Sequence, residues 1–237
     1  MLLPGFLANI QDYRPTEVGQ ALAWVAVPMF AIVWLVALTV IHTNSKLILT
    51  GGLTISAVAC WIYSRLDTSW AGSSFKMVEL LLSAGLACTY IGLVSSIVLE
   101  GLEAGALTSA AYAATFSGFM HFIRIFGGQV GVAAMTRFIS LREKFHSNLA
   151  KVARAGAWLT DERLRLLAGG VAPETAGSEE AHSRALTVLA QQIRAQAYTM
   201  AIADGFLLIG WVSAAYMLLM LFLRPGKVTY MDLRKMQ

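Results

Sequence analysis

The stretch that decides the fold runs from Val18 to Ile41 and reads VGQALAWVAVPMFAIVWLVALTVI, with no charged residue in 24 positions. A helix of about 20 apolar residues crosses the hydrocarbon core of a bilayer. This stretch is long enough to span the core with some tilt. It therefore predicts a transmembrane helix.

The composition of the whole chain supports the same interpretation. Hydrophobic residues make up 57% of the 237 residues, charged residues make up 14%, and the mean hydropathy is +0.63. Soluble globular proteins average about 45–50% apolar and about 25% charged residues. The chain is therefore predicted to be an integral membrane protein, and its composition excludes the collagen, disordered and disulfide-scaffold classes.

Four more apolar runs predict four further spans, which gives about five transmembrane helices. The second, fourth and fifth spans are predicted at 47–64, 111–136 and 198–223. The third is predicted at about 77–99 and contains the uncharged run 80–99. The segment 137–197 is polar, and its apolar residues recur at intervals of three and four, which is typical of amphipathic helices. Within it, helices are predicted to start at Thr160 and at Ser178, and the second is expected to continue into the last span.

The predicted fold is thus an all-α integral membrane protein with a long helical hydrophilic loop before its last helix. The chain divides into an extramembrane segment 1–17, four spans within 18–136, the hydrophilic loop 137–197, a fifth span 198–223 and a tail 224–237.

Arg124 lies within a predicted span and needs an explanation. A cation there costs about 2.5–3.5 kcal/mol on insertion scales, so its side chain is expected to face protein, a cavity or a partner. On a helix, one face carries Ser117, His121, Arg124, Gly128 and Gly131. We expect this face to line a polar cavity. The alternative is a structural arginine held by backbone carbonyls.

Two further features of the spans have predicted roles. Gly127 and Gly131 form a small-xxx-small pair that lets a second helix approach closely, and with Gly128 they make a predicted helix-packing motif. Asp204 is expected to line the same cavity as Arg124. It would pair with Arg124, bind a substrate cation or carry a proton; the alternative is a solvated carboxylate at the headgroup level.

The sequence contains no motif of an enzyme, a metal site or a nucleic-acid interface. The histidines lack ligand spacing to cysteines or acids, and no nucleophile elbow or zinc-protease signature occurs. Cys60 and Cys88 lie in apolar runs and predict no disulfide framework. The cations border apolar runs and form no nucleic-acid-binding motif. No catalytic residue, metal, cofactor or nucleic-acid partner is therefore predicted.

Several motifs give the chain a family resemblance. The helix around Arg124 reads Phe122-x-Arg124-x-x-Gly127-Gly128-x-x-Gly131, and the segment before the first span reads Tyr13-Arg14-Pro15-x-x-x-Gly19. These motifs, the order of the spans and the long loop resemble the C-terminal part of EmrB-like transporters, the fourteen-helix drug:proton antiporter branch of the major facilitator superfamily. The resemblance covers nearly the whole chain and implies a partial major-facilitator helix bundle, the last five of fourteen helices.

The resemblance implies part of an efflux pump that exports drugs or other small organic molecules by alternating access, with the proton gradient as its energy source. The implied partners are membrane lipid, a small organic substrate, the missing N-terminal half of the transporter and a periplasmic adaptor protein. The chain is then a fragment, from a truncated reading frame or a split protein. The alternative is a non-transporting accessory or scaffold membrane protein whose 137–197 loop binds a partner.

The resemblance also implies the location and orientation of the chain. It places the protein in the inner (plasma) membrane, with the C-terminus in the cytoplasm and the loop 137–197 outside. A count of cations favours the reverse, because twelve lie on the loop side and five on the other side. Loops longer than about 60 residues translocate largely regardless of charge. Since this loop has 61 residues, the predicted orientation follows the resemblance.

Overall fold

The computed structural model of the protein describes residues 2–67, 70, 72–105, 109–154 and 178–222. Those residues form six α-helices and no β-strand. The helices are α1 (Leu2–Asn9), α2 (Pro15–His42), α3 (Ser45–Tyr63), α4 (Gly72–Glu103), α5 (Ala110–Arg154) and α6 (Ser178–Phe222). The predicted all-α fold is confirmed for this part of the chain.

Within the described residues, four helices are long and apolar enough to cross a membrane. They are Pro15–His42, Ser45–Tyr63, Ser74–Glu103 and Leu186–Met220, and they coincide with four of the five predicted spans. The helix α5 covers the remaining one, 111–136, and is not among the four. His121 and Arg124 make this segment more polar than the others. The crossing of the membrane by α5 therefore stays a prediction.

Local signals determine where α2 and α3 begin. Pro15 lies in the first turn of α2, where its missing N–H removes no hydrogen bond. In the same turn, Glu17 Oε2 accepts a hydrogen bond of 2.8 Å from the backbone N–H of Arg14. Asn44 caps α3 by accepting a hydrogen bond of 3.0 Å from the N–H two residues later. Both helices thus start within three residues of the predicted apolar runs.

The long helices pack in the spatial order α2, α4, α3, α6, α5. The closest approach is between α3 and α4, where glycines replace side chains. A Cβ added at Gly52 would lie 2.4 Å from the backbone nitrogen of Thr89, and one added at Gly92 would lie 2.6 Å from that of Leu49. Since no side chain fits at these positions, the two backbones are in contact, as small residues permit in membrane helices.

In the main hydrophobic cluster, α1 packs beside the C-terminal end of α3, the first turns of α4 and the middle of α6. Its completely buried side chains include those of Phe6, Leu7, Tyr63, Phe75 and Ile202. Segment 1–17, predicted to lie outside the membrane, therefore contributes a helix to the core. Its position relative to the bilayer stays a prediction.

The predicted loop 137–197 begins and ends as helix. The helix α5 runs through the predicted boundary at residue 136, and α6 runs from Ser178 into the last span, each over 45 residues. The predicted continuity of this helix with the last span is confirmed, and its predicted start at Ser178 stays a prediction because the preceding residues lie outside the described ones. The predicted helix start at Thr160 and the tail 224–237 lie outside the described residues.

Candidate functional site

Asp204 on α6 is bound by two side chains of α5. Arg142 Nε and Nη2 each lie 2.7 Å from Asp204 Oδ2, and His146 Nε2 lies 2.7 Å from the same oxygen. Because a carboxylate only accepts, His146 Nε2 carries the donated hydrogen. The side chains of Asp204, Arg142 and His146 are 25%, 37% and 15% exposed. This partly buried cluster holds α5 against α6, since charge-assisted hydrogen bonds are the stronger ones.

The structure shows that Asp204 does not pair with Arg124, so that predicted alternative is wrong. Arg142 and His146 occupy the carboxylate instead. Arg142 follows Arg124 by 18 residues, which is about five helical turns and about 27 Å along the axis. Both arginines therefore lie on the same face of α5. The partner of Asp204 comes from the predicted loop 137–197 and not from the predicted span 111–136. Sequence reasoning assigned no role to His146; its spacing of four residues from Arg142 is the signal that could have found it.

The two ends of this α5 face differ in their surroundings. Near the Asp204 cluster the face packs closely on α6, since a Cβ added at Gly205 would lie 3.5 Å from Met135 Sδ and 3.7 Å from Ile139 Cγ1. Toward the start of α5 the predicted cavity residues Ser117, His121 and Arg124 are all exposed. The two helices are therefore in contact at one level and apart at the other.

A groove of about 750 Å³ opens where α5 and α6 separate. Its lining includes Gly127, Gly128, Gly131, Met135, Tyr198 and Ile209. A Cβ added at any of the three glycines would meet nothing within 4 Å. No helix in the described part of the chain therefore packs on the predicted helix-packing motif, and its glycines form the floor of the groove.

Arg124 has no hydrogen-bond or ion-pair partner among the described residues. The opposite face of the same helical segment is aromatic and carries Phe119, Phe122 and Phe126, all exposed. The rings of Phe122 and Phe126 stack with 5.7 Å between centroids. A polar strip opposite an apolar strip is typical of a helix with one face toward lipid and the other toward a cavity or a further helix.

The helices define a multi-helix membrane protein in which Arg124, without a partner in the described part of the chain, lies one helical turn before Gly128 of the groove and does not line it. No protein-family model and no curated protein matches the chain. Its resemblance to EmrB-like transporters therefore stays a prediction.

Proposed function

We propose that the chain is part of a membrane transporter in which the polar face of α5 lines the passage of a small organic substrate. Export would proceed by alternating access and be driven by protons, with the chain in the plasma membrane and its C-terminus in the cytoplasm. The observation that carries the proposal is the exposed side chain of Arg124, which has no partner within the described residues.

The energetics of Arg124 favour a water-filled passage. An arginine facing hydrocarbon in the middle of a span costs about 2.5–3.5 kcal/mol, and this cost falls when the side chain reaches water or an anionic group. His121 and Ser117 lie on the same face and supply further polar atoms, whereas the aromatic face opposite suits lipid. The arrangement thus supports one wetted wall on α5.

A different feature favours the accessory or scaffold function. Beyond residue 136, α5 continues into the polar segment, and there Leu141, Phe145 and Leu149 are each about half exposed. Apolar side chains that recur every four residues on an exposed helix are suited to a partner protein. Two experiments on the groove separate the two functions.

Thiol labelling tests whether water reaches the proposed wall. In a background with Cys60→Ala and Cys88→Ala, we compare single cysteines placed by Gly131→Cys and Ala133→Cys. The two positions differ little in depth but lie on opposite faces of α5. A charged, membrane-impermeant thiol reagent is expected to modify Gly131→Cys about tenfold faster, because the reactive thiolate forms only where water is present.

The labelling has an internal check on folding. Ser117→Cys changes one atom on the polar face and should react like Gly131→Cys. Equal rates at the two faces, or no reaction at Ser117→Cys and Gly131→Cys, would count against a wetted wall and in favour of the accessory function.

Substitution of Arg124 tests transport itself. In cells that express the protein from its own gene, Arg124→Ala is expected to raise ethidium retention to the level of cells from which the gene is deleted. The reason is that the proposed polar wall would lose the charged side chain that keeps it wetted. Arg137→Ala is the matched control, since Arg137 is also exposed on α5 but lies away from the groove face. Unchanged retention in Arg124→Ala cells with normal membrane levels of the protein would contradict the proposal.

A further inference from the structure

Buried side-chain oxygens without partners in the described part of the chain are confined to α3 and α4. Within the described residues, the buried side-chain oxygens that lack a hydrogen-bond partner belong to Ser56 and Tyr63 on α3 and to Glu79, Ser83 and Thr89 on α4. No other described helix contributes such an atom. Because buried polar groups nearly always find a partner in folded proteins, five on one helix pair require an explanation.

The register of the two helices brings Ser56 and Thr89 into the contact between them, since Thr89 Oγ1 would lie 2.7 Å from a Cβ added at Gly52. A Cβ added at Gly85 would lie 2.5 Å from Ser56 Oγ, and Ser96 Oγ donates a hydrogen bond of 3.0 Å to Ser45 Oγ. The same antiparallel register brings Tyr63 to the level of Phe75 and Glu79. The rings of Tyr63 and Phe75 are stacked with 6.5 Å between centroids.

The contact between α3 and α4 runs along the full length of the helix pair. At one end lies Glu79, and at the other Lys46 Nζ is 3.9 Å from Glu100 Oε1. The two acids are 21 residues apart on α4, which corresponds to about 31 Å of helix. That length matches the hydrocarbon thickness of a typical bilayer, about 30 Å.

Glu79 is the most unusual of the five residues whose buried oxygens lack a partner. Its side chain is 0% exposed, and within the described residues neither carboxyl oxygen has a hydrogen-bond partner. Phe75 and Val78, which lie four residues and one residue before it on α4, belong to the main hydrophobic cluster. An ionised carboxylate in such surroundings costs far more free energy than the neutral acid. Complete burial without a partner therefore favours the neutral acid.

The other titratable groups near Glu79 do not compensate a negative charge there. On α3, Tyr63 and Cys60 are both buried and are neutral donors or acceptors. On α4, Lys76 lies over the ring of Trp24 of α2, with 5.1 Å between its Nζ and the ring centroid. On α6, Asp204 is held by the basic side chains of α5.

We propose that Glu79 is a proton-binding site within the membrane-spanning part of the protein, with the buried hydroxyls of Tyr63 and Ser83 available to stabilise the carboxylate after the proton leaves. The proton is the expected ligand because a single carboxyl group is available. No group of three or more His, Cys, Asp or Glu side chains that could hold a metal ion occurs among the described residues. The inference rests on the proposed function in one respect, that this proton would be the one coupled to export.

Carbodiimide labelling of the purified full chain tests the site. A protonated carboxyl group adds across a C=N bond of the apolar reagent dicyclohexylcarbodiimide: a C–O bond forms, the acid proton moves to nitrogen, and rearrangement gives a stable N-acylurea without loss of any atom. Labelling at Glu79, located by peptide mass spectrometry, is expected to become faster as the pH is lowered. Absence of the label from the Glu79 peptide at every pH, or a rate independent of pH, would overturn the proposal.

Controls in the same sample make the result specific. Glu100 lies on the same helix with its side chain 62% exposed, and it is expected to react with a water-soluble carbodiimide plus an amine but not with the apolar reagent. Glu79→Gln keeps the shape of the side chain and should remove the label, together with the pH-dependent infrared band of a protonated carboxyl. If that variant does not fold, the wild-type labelling and its pH dependence still decide the question.

Two further outcomes are informative. Protection of Glu79 by sodium, with choline as the replacement ion, would overturn the proposal in favour of a sodium site. The result is also independent of transport, because labelling at Glu79 needs no passage along α5. Labelled Glu79 with an unreactive cysteine at position 131 would therefore reject the proposed function and retain the proton site.

Discussion

Asp204→Ala is expected to separate α5 from α6 and to lower the free energy of unfolding by about 1.5–3 kcal/mol, the range for hydrogen bonds to charged groups. The substitution removes the one oxygen that binds Arg142 twice and His146 once, at 2.7 Å in each case. It leaves the guanidinium and the imidazole of α5 partly buried without their acceptor, which is costlier than losing the whole cluster. Unfolding in mixed detergent, followed by circular dichroism, measures the change.

The ion pair at the opposite end of the bundle supplies the matched control. Glu100 lies 3.9 Å from Lys46 with its side chain 62% exposed, so Glu100→Ala should change the stability by less than about 1 kcal/mol. A double-mutant cycle of Asp204→Ala with Arg142→Ala is expected to be strongly non-additive, because the two residues share one interaction. Equal losses for Asp204→Ala and Glu100→Ala would show that the α5–α6 cluster does not hold the two helices together.

Gly52→Ala is expected to force α3 and α4 apart and to destabilise the protein by about 1–3 kcal/mol, the usual effect of overpacking. The added methyl group would lie 2.4 Å from the backbone nitrogen of Thr89 and 2.7 Å from its Oγ1. Backbone atoms cannot move aside as a flexible side chain can, so the helices themselves must shift. The same unfolding measurement in detergent reports the loss.

The neighbouring glycine separates the effect of packing from that of helix propensity. A Cβ at Gly51 would meet nothing within 4 Å. Alanine is favoured over glycine in helices by about 1 kcal/mol, so Gly51→Ala should leave the stability unchanged or raise it. If both variants lose stability equally, the close contact between α3 and α4 does not account for the effect.

The positions of the long helices could be predicted from hydropathy because burial in lipid requires an apolar run of defined length. The uncharged stretch from Val18 to Ile41 corresponds to the helix Pro15–His42. The short helix α1 could not be predicted in this way. It contains Pro4 and Gly5 and has only eight residues, too few to be stable without the tertiary contacts of Phe6 and Leu7.

The candidate site was predicted only in part. Helical periodicity placed Arg124 and its neighbours on one face, but depth along α6 decides which α5 side chain meets Asp204, and periodicity carries no such information. Glu79 lies inside the predicted third span, 77–99, but the sequence analysis gave it no role. Its complete burial depends on how α4 packs against its neighbours, and hydropathy along one helix does not show that. An acidic residue directly before an apolar run is itself a signal of burial when the helix begins several residues earlier, as α4 does at Gly72.

The helix α5 continues without a break through its contact with Asp204. An unbroken helix of 45 residues moves as one rod, because bending it sharply would break backbone hydrogen bonds. From Arg142, the arm toward Arg124 is about 27 Å long and the arm toward Arg154 is about 18 Å long, at 1.5 Å per residue. The polar extension of α5 and the segment that carries Arg124 are thus parts of one continuous helix on either side of its contact with Asp204.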